Sequence, residues 1–136
     1  MLLRDWGDLP DRMKNESVRR YYEILEEKKK SLIIKRIFDI VVGLILVIIL
    51  SPLLIIIGLI IKIDSRGPVF FRQTRVTQYG KNFKIFKFRT MVNDAEHIGT
   101  AITTNNDPRI TRTGTFLRKY RLDETPQLFN IISGDM

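Results

Sequence analysis

The sequence contains no cysteine and a single histidine, His97. The lack of cysteine excludes disulfide bonds and thiolate metal sites, and it is compatible with a reducing cytosolic environment. One imidazole cannot build a zinc site that needs several histidines. Any metal would therefore be a hard cation held by carboxylates and by substrate oxygens.

Acidic residues are also scarce, with 15 Asp and Glu against 23 Lys and Arg, which gives a formal net charge of +8 over 136 residues. A chain of this length has room for one modest domain. Residues 1–39 carry 10 basic and 8 acidic residues, whereas residues 62–136 carry 13 and 7, so the excess lies in the second half. This charge predicts a polyanionic partner, which is nucleic acid, an anionic membrane surface or a phosphorylated substrate.

Between these two parts lies an apolar run of 22 residues without a charge, from Ile40 to Ile61. As a straight helix it would measure about 33 Å, which is enough to cross a hydrocarbon core of about 30 Å. Pro52 divides it into two halves that each reach about halfway, and the Ser51 hydroxyl can bond back to the carbonyl of Val47. The run is therefore predicted to insert into a membrane, either as a kinked span or as a re-entrant segment bent at Ser51 and Pro52.

The flanks of this run favour re-entry. Six basic residues lie in the 20 positions before it and five in the 20 positions after it, so there is almost no asymmetry to orient a span.

The preceding stretch, "SVRRYYEILEEKKK", spaces Val18, Tyr21, Tyr22 and Leu25 as one face of an amphipathic helix. That helix is predicted to lie on a membrane surface or to pack on the rest of the domain.

The second half predicts a small hairpin and two short helices. "VFF" and "FKIFKF" are strand-like runs on either side of a turn at Gly80-Lys81-Asn82, and their alternation of basic and aromatic residues is also typical of single-stranded nucleic-acid platforms. "GTFLRKY" predicts a short helix after turns at Asp107-Pro108 and Gly114. "DETPQLFNII" predicts another, with Asp123 as its N-cap.

The adjacent carboxylates Asp123 and Glu124 have two interpretations. Spacing alone favours an N-cap followed by a first-turn acid. However, basic residues surround the pair, and they would lower the pKa of a carboxylate while binding phosphate. These residues are Arg109, Arg112, Arg118, Lys119 and Arg121. An ionised aspartate beside phosphate-binding arginines is a candidate nucleophile on phosphorus.

The chain from Lys35 to Met136 resembles the catalytic domain of the bacterial monotopic phosphoglycosyl transferases, the initiating sugar transferases of exopolysaccharide and glycoconjugate assembly. The matching stretches cover about three quarters of the chain in the family's order. They are "KRIFDIVVGLILVIILSPLLIIIGLIIK", "GPVFFRQTRV", "FKIFKFRTM", "DPRITRTGTFLRKYRLDETPQL" and "NIISGDM". The combination of "KFRTM" with the Asp-Glu motif is highly specific.

The resemblance implies an α+β fold, with a membrane-associated small α/β catalytic domain and a re-entrant membrane helix hairpin broken at Ser51-Pro52, to which the spacing of apolar residues adds a short N-terminal amphipathic helix. Together they divide the chain into an interfacial segment 1–34, a re-entrant membrane helix 35–62 and a cytoplasmic catalytic core 63–136 that is incomplete at its C-terminus. Location at the cytoplasmic face of a bacterial inner membrane follows.

The resemblance also implies a reaction. Asp123 would attack the sugar-linked phosphorus of a UDP-sugar, release UMP and hold a covalent phosphosugar, which then passes to polyprenyl phosphate. Glu124 would assist proton transfer or, with Asp123, hold Mg²⁺. Residues expected to bind substrate phosphate are Arg118, Arg89, Lys87, Arg109 and Arg112, and Lys35 and Arg36 would anchor the membrane helix at the headgroups. Lipids are expected partners, an oligomer is allowed, and no nucleic acid is expected.

Two features depart from the family pattern. Thr125 stands where relatives usually have Leu, and the chain stops at "SGDM" where relatives continue into a Gly-Pro-Arg-Pro-like motif and further helices that help form the nucleotide pocket. The alternative function is therefore an inactive, truncated remnant that acts as a membrane-attached interaction module.

Overall fold

The computed structural model describes residues 3–95, 98 and 107–136. These residues form an α+β fold, as predicted, in which helices accompany one antiparallel two-stranded sheet whose strand β1 is largely exposed. The helices are α1 (Glu16–Glu27), α2 (Lys29–Asp64), α3 (Arg112–Lys119) and α4 (Leu128–Ser133), and the strands are β1 (Phe70–Val76) and β2 (Asn82–Phe88). A six-residue 3-10 helix, Leu122–Gln127, carries the two adjacent carboxylates and is called the dyad helix below.

Helix α1 begins behind Asn15, whose side-chain Oδ1 accepts a hydrogen bond from the Val18 amide at 2.9 Å. Its predicted apolar face is divided between two environments. Tyr22 is buried and packs edge-on against Trp6, with ring centroids 5.1 Å apart. Tyr21 and Leu25 remain exposed beside Ile24, so α1 packs on the protein along one edge and leaves an apolar stripe uncovered.

Helix α2 contains the apolar run and extends it at both ends, because the charged flanks hold no helix breaker. Its 36 residues continue through Pro52, so the predicted division into two helices at Ser51-Pro52 does not appear as a gap in the helix. The Ser51 hydroxyl donates to the carbonyl of Ile48 at 2.8 Å, not to that of Val47 as expected. The helix is long and apolar enough to cross a membrane, and only 11% of its most apolar window is buried within the protein.

Both ends of α2 are fastened to the domain that follows it. Near its N-terminus, Arg36 donates from Nη1 to the Ile131 carbonyl of α4 at 2.6 Å and from Nη2 to the Ile132 carbonyl at 2.5 Å. At its C-terminus, Asp64 Oδ2 accepts a hydrogen bond from the Thr113 amide of α3 at 3.1 Å. Lys35 pairs with Asp39 of the same helix. Of the expected headgroup pair, only Lys35 is exposed, whereas Arg36 acts as a cap for α4.

The hairpin pairs Phe70 with Phe88 at its base and Val76 with Asn82 at its tip. The turn lies slightly earlier than predicted, because a short 3-10 helix, Gln78–Gly80, precedes β2. The core sits where the base of the hairpin meets the C-terminal half of α2. Its fully buried members are Ile57, Ile61, Phe88 and Leu117. Each such side chain contributes about 1.5–3 kcal/mol through burial, so α2 is part of the domain core along this half.

Two local predictions in the C-terminal part are wrong. Gly114 lies inside α3 and not in a turn, since Thr111 caps this helix by accepting from the Gly114 amide at 2.9 Å. Asp123 is not an N-cap, because the N-cap position of the dyad helix is Arg121 and the α-helix after it begins only at Leu128. The carboxylate of Asp123 is therefore not used to cap a helix.

Candidate active site

The two carboxylates lie in the first turn of the dyad helix, which packs against β2, α3 and α4. The chain enters this helix through Arg121, whose backbone is left-handed with φ of 57°. Such a conformation is uncommon for a residue with a Cβ and redirects the chain within one residue. Asp123 and Glu124 are thereby presented at the junction of four elements, and both are partly buried.

Glu124 is engaged by cations. Lys87 Nζ of β2 donates to Glu124 Oε1 at 2.9 Å, and Arg121 Nη1 lies 3.7 Å from the same oxygen. The hydrogen bond from Lys87 lowers the pKa of the Glu124 carboxyl, and the charges of Lys87 and Arg121 act in the same direction. Glu124 is therefore ionised at neutral pH, and Lys87 is held beside the dyad.

Asp123 has the opposite environment. Its Oδ1 is buried and makes no hydrogen bond within the described ranges 3–95, 98 and 107–136. Burial raises the pKa of the Asp123 carboxyl, and the negative charge of Glu124 adds to this, whereas the charges of Lys87 and Arg118 act against it. The basic neighbours were expected to lower the pKa of a carboxylate; the pKa is lowered at Glu124, whereas at Asp123 burial outweighs them and the pKa is raised. A partly desolvated carboxylate oxygen without a partner is available for bond formation or for a cation.

Arg118 reaches the site from α3. Its Nε donates to Thr90 Oγ1 at 2.9 Å, and its charge acts on the Asp123 carboxyl. Neither terminal nitrogen of Arg118 makes a hydrogen bond with a residue of the described part of the chain. These nitrogens are the donors that bind phosphate oxygens in bidentate fashion. Lys87 and Arg118 are thus the two predicted phosphate-binding residues that the fold brings to the dyad.

Arg89 is directed elsewhere, although it was predicted beside Lys87. It is only 6% exposed, and its guanidinium donates to the Ser65 carbonyl and hydroxyl, both at 2.7 Å, and to the Arg66 carbonyl at 3.0 Å. Ser65 is the C-cap of α2. Arg89 therefore caps the C-terminus of α2 in this structure.

Arg109 and Arg112 also lie away from the dyad contacts. Arg109 binds the buried Asp107 carboxylate, with Nη2 and Oδ2 2.6 Å apart, and donates to the Ile98 carbonyl at 2.7 Å. This pairing lowers the pKa of Asp107 to about 2. Arg112 is exposed at the first residue of α3. His97, the single imidazole of the chain, lies outside the described residues.

The described residues contain no group of three or more His, Asp or Glu side chains able to hold a metal. A magnesium ion needs fewer, since it is often held by one or two carboxylates together with substrate phosphates and water. The unpartnered Oδ1 of Asp123 is consistent with that mode of binding, because it is a carboxylate oxygen with no protein donor among the described residues. The dyad therefore fits a magnesium ion that a diphosphate brings with it.

Two residues near the site were not predicted. Thr90 holds Arg118, and the buried Asn130 of α4 accepts at Oδ1 from the Phe86 amide and donates from Nδ2 to the Lys84 carbonyl, both at 2.9 Å. Asn130 thereby fixes the outer edge of β2 next to the dyad helix. The sequence held a signal for Asn130, since a polar residue in an apolar segment such as "LFNII" is often a buried hydrogen-bonding group, but no such signal for Thr90.

Comparison with known proteins places this geometry in context. Residues 30–136 match the model of a family described as bacterial sugar transferase. The chain is 47% identical over 106 residues to the exopolysaccharide production protein PSS of Rhizobium leguminosarum bv. phaseoli, covering 77% of this chain and 53% of the relative. It is 45% identical over 105 residues to the UDP-glucose:undecaprenyl-phosphate glucose-1-phosphate transferase of Escherichia coli (strain K12), covering 76% of this chain and 22% of the relative.

A third relative is the UDP-N-acetylgalactosamine-undecaprenyl-phosphate N-acetylgalactosaminephosphotransferase of Aeromonas hydrophila, which is 43% identical over 103 residues, or 76% of this chain and 24% of the relative. The chain thus spans from about a quarter to about half the length of these relatives. The matched region contains α2 except for its first residue, Lys29, together with the hairpin and the dyad, whereas residues 1–29 lie outside the family match. The chain belongs to the bacterial sugar transferase family.

Proposed function

We propose that the protein is a membrane-bound phosphoglycosyl transferase that moves a sugar phosphate from a UDP-sugar to polyprenyl phosphate. One observation carries this proposal. A buried oxygen of Asp123 has no hydrogen-bond partner among the described residues, and two cations reach the same site from different elements, Lys87 from β2 and Arg118 from α3. The names of the Escherichia coli and Aeromonas hydrophila relatives describe transfer from UDP-sugars to undecaprenyl phosphate.

In the first half of the reaction, an oxygen of ionised Asp123 attacks the phosphorus that carries the sugar. The bond from this phosphorus to the oxygen of the uridine phosphate breaks, UMP leaves with the electron pair, and an aspartyl phosphosugar remains. Arg118 and Lys87 are placed to offset the charge on the phosphate oxygens. Glu124, ionised by its contact with Lys87, keeps that lysine in place.

In the second half, an oxygen of polyprenyl phosphate attacks the same phosphorus and Asp123 leaves as a carboxylate. The product is a polyprenyl diphosphate sugar. A carboxylate nucleophile thus splits one displacement between two anions into two steps. Glu124 and Asp123 would hold Mg²⁺ together with the substrate phosphates, and this ion would neutralise the diphosphate charge.

We also propose that α2 enters the membrane and returns on the same face. Arg36 near its N-terminus binds α4 and Asp64 at its C-terminus binds α3, and both of these helices pack against the dyad helix. Because one polar domain cannot lie on both sides of a bilayer, these contacts support re-entry. If straight, the helix between the two residues would be about 42 Å long, whereas a compact domain of some 70 residues is only about 30 Å across.

The N-terminal segment would then lie at the membrane surface. The exposed stripe of α1, with Tyr21, Ile24 and Leu25, ends directly before α2 at Lys28. Tyrosine and basic residues are typical of the headgroup region. The test is hydrogen exchange of the α1 backbone amides. Exchange along this edge of α1 should be slower when the protein is in lipid nanodiscs than when the same folded protein is in detergent without lipid. Equal exchange rates would remove the stripe from the membrane surface.

The absence of cysteine allows a direct test of topology. Ser31→Cys and Arg66→Cys each place one thiol at an exposed position near one end of α2. In sealed vesicles of both orientations, an impermeant maleimide should label both variants from the cytoplasmic face only. Labelling of the two variants from opposite faces would contradict re-entry.

The chemical proposal is tested with two labels. Purified protein in detergent with Mg²⁺, and without lipid acceptor, receives UDP-glucose or UDP-N-acetylgalactosamine labelled either in the sugar or in the uridine. The sugar label should remain on denatured wild-type protein and the uridine label should not, and added polyprenyl phosphate should discharge it. Asp123→Asn should abolish the adduct, whereas the exposed control Asp94→Asn should keep it. No adduct in wild type would favour the interaction module.

A further inference from the structure

Thr90 lies directly after Arg89, outside strand β2, and is only 7% exposed. Its hydroxyl Oγ1 accepts the hydrogen bond from Arg118 Nε at 2.9 Å. Its carbonyl oxygen accepts a second hydrogen bond, from the Thr111 amide at 3.1 Å. The residue therefore contacts the start of α3 through its backbone and the end of α3 through its side chain.

The approach of α3 to Thr90 is unusually close. A Cβ atom at position 114 would lie 2.0 Å from the Thr90 carbonyl oxygen, so only glycine fits at this crossing. Leu117, one residue before Arg118, is buried in the core on the same helix. Backbone contact thus fixes α3 against Thr90, and the Thr90 hydroxyl stands at a fixed distance from the Arg118 side chain.

We propose that Thr90 is a positioning residue for phosphate binding, which acts by holding Arg118 at Nε so that both terminal nitrogens face the donor phosphates. This inference rests on the proposed function. An arginine that binds phosphate through Nη1 and Nη2 still has its Nε–H available for another acceptor, and Thr90 provides that acceptor inside the domain. The long side chain is then ordered before substrate arrives, which removes part of the entropy cost of binding.

Thr90→Val keeps the shape of the side chain and removes the hydroxyl, whereas Thr90→Ser keeps the hydroxyl and removes the methyl group, so the two variants separate hydroxyl from shape. Loss of a hydrogen bond to a charged group should raise the KM for the UDP-sugar about tenfold in Thr90→Val, with a smaller change in kcat. Thr90→Ser should restore most of the loss. The control is Thr115→Val on α3. Among the described residues the Thr115 hydroxyl bonds only to the Thr111 carbonyl, at 3.2 Å, so this change should leave KM unaltered.

A double-mutant cycle distinguishes positioning from damage to the fold. If Thr90 acts through Arg118, then Thr90→Val should cost almost nothing further when added to Arg118→Ala. A smaller folded fraction would instead lower the apparent kcat in both backgrounds and leave KM unchanged. Equal losses in both backgrounds, or a wild-type KM in Thr90→Val, would overturn the inference.

Equilibrium dialysis with labelled UDP supplies a readout that does not depend on turnover. Thr90→Val and Arg118→Ala should weaken UDP binding by similar factors, and Thr115→Val should not. If wild type forms no adduct while this pattern in UDP binding persists, the proposed reaction fails but the positioning role stands. If wild type binds no UDP, or Thr90→Val binds it as wild type does, the positioning role fails.

Discussion

Arg36 and Ile131 connect α2 to α4: Arg36 Nη1 donates to the Ile131 carbonyl across 95 positions of sequence, at 2.6 Å. The second terminal nitrogen binds the Ile132 carbonyl. Both carbonyls lie in the last turn of α4, where carbonyls lack the usual i+4 amide donor, and the Ile131 carbonyl also accepts from the C-cap amide of Gly134 at 3.1 Å. The guanidinium of Arg36, a residue of α2, therefore caps the C-terminus of α4.

This contact predicts that Arg36 and its neighbour Lys35 are not equivalent. Arg36→Gln and Arg36→Lys should both lower the Tm in detergent by about 5 °C or more, because neither reproduces the two-pronged bond to α4. Lys35→Gln removes the same charge but only an exposed pair with Asp39, so its Tm should change by no more than about 2 °C. Thermal unfolding of the three variants measures this. Equal shifts for Lys35→Gln and Arg36→Gln would instead indicate a shared role as a charged headgroup anchor.

The dyad predicts opposite pH shifts for two variants. Asp123 must be ionised to act as a nucleophile, and its pKa is raised by burial and by Glu124 and lowered by Lys87. Lys87→Met should therefore move the acid limb of kcat/KM to higher pH, and Glu124→Gln should move it to lower pH. The pH dependence of adduct formation measures the acid limb of each variant.

Lys84→Met is the matched control for this pair, since Lys84 is exposed on the same strand and its carbonyl, not its amine, is used by Asn130. Its acid limb should coincide with that of wild type. A shift of the Lys87→Met and Glu124→Gln limbs in the same direction would contradict the assignment of the limb to Asp123.

The long apolar helix and the hairpin could be predicted because each follows from a local pattern. A charge-free run of 22 residues indicates a membrane-length helix, and alternation around a Gly-containing turn indicates a hairpin. The extension of α2 to Lys29 could not be predicted in the same way. Its first turns are charged and have no apolar pattern of their own. They are helical because they extend the helix of the apolar run toward the N-terminus and because Arg36 binds α4.

The partners of the site residues could not be read from spacing. Strand alternation would place Lys87 and Arg89 on the same face, yet β2 ends at Phe88 and the two side chains diverge. Lys87 meets Glu124 because β2 packs on the dyad helix, and Arg89 meets Ser65 because the chain passes the end of α2. Such contacts depend on tertiary packing, which a single sequence does not contain.

Substitutions of Arg89 and of Arg118 should accordingly affect different properties, stability for Arg89 and substrate binding for Arg118. Arg89→Lys should lower the Tm by several degrees, because one ammonium cannot reproduce the three hydrogen bonds that the two terminal guanidinium nitrogens make at the end of α2, while the KM of the folded fraction for UDP-sugar stays near wild type. Arg118→Lys should raise that KM and leave the Tm nearly unchanged. Thermal unfolding and steady-state kinetics on the same preparations measure both.

Ser65→Ala provides an intermediate for Arg89, since it removes the Ser65 hydroxyl but keeps the two backbone acceptors. Its Tm should fall by less than that of Arg89→Lys. An increase in KM without a change in Tm for Arg89→Lys would show that this arginine contacts substrate phosphate, as the sequence suggested.

The Asp107 and Arg109 pair predicts a loss of stability in acid that is confined to one pH window. Because Arg109 depresses the pKa of Asp107 to about 2 from an unfolded value near 3.8, the folded state gains stability above about pH 4 and loses that gain as the pH falls through 2. Asp107→Asn should therefore have a lower Tm than wild type at pH 5 to 7, and the difference should shrink as the pH approaches 2.

Asp11→Asn, at an exposed site, should show no such convergence. A Tm difference that stays constant down to pH 2 would mean that Asp107 stabilises the turn through its shape and not through its charge.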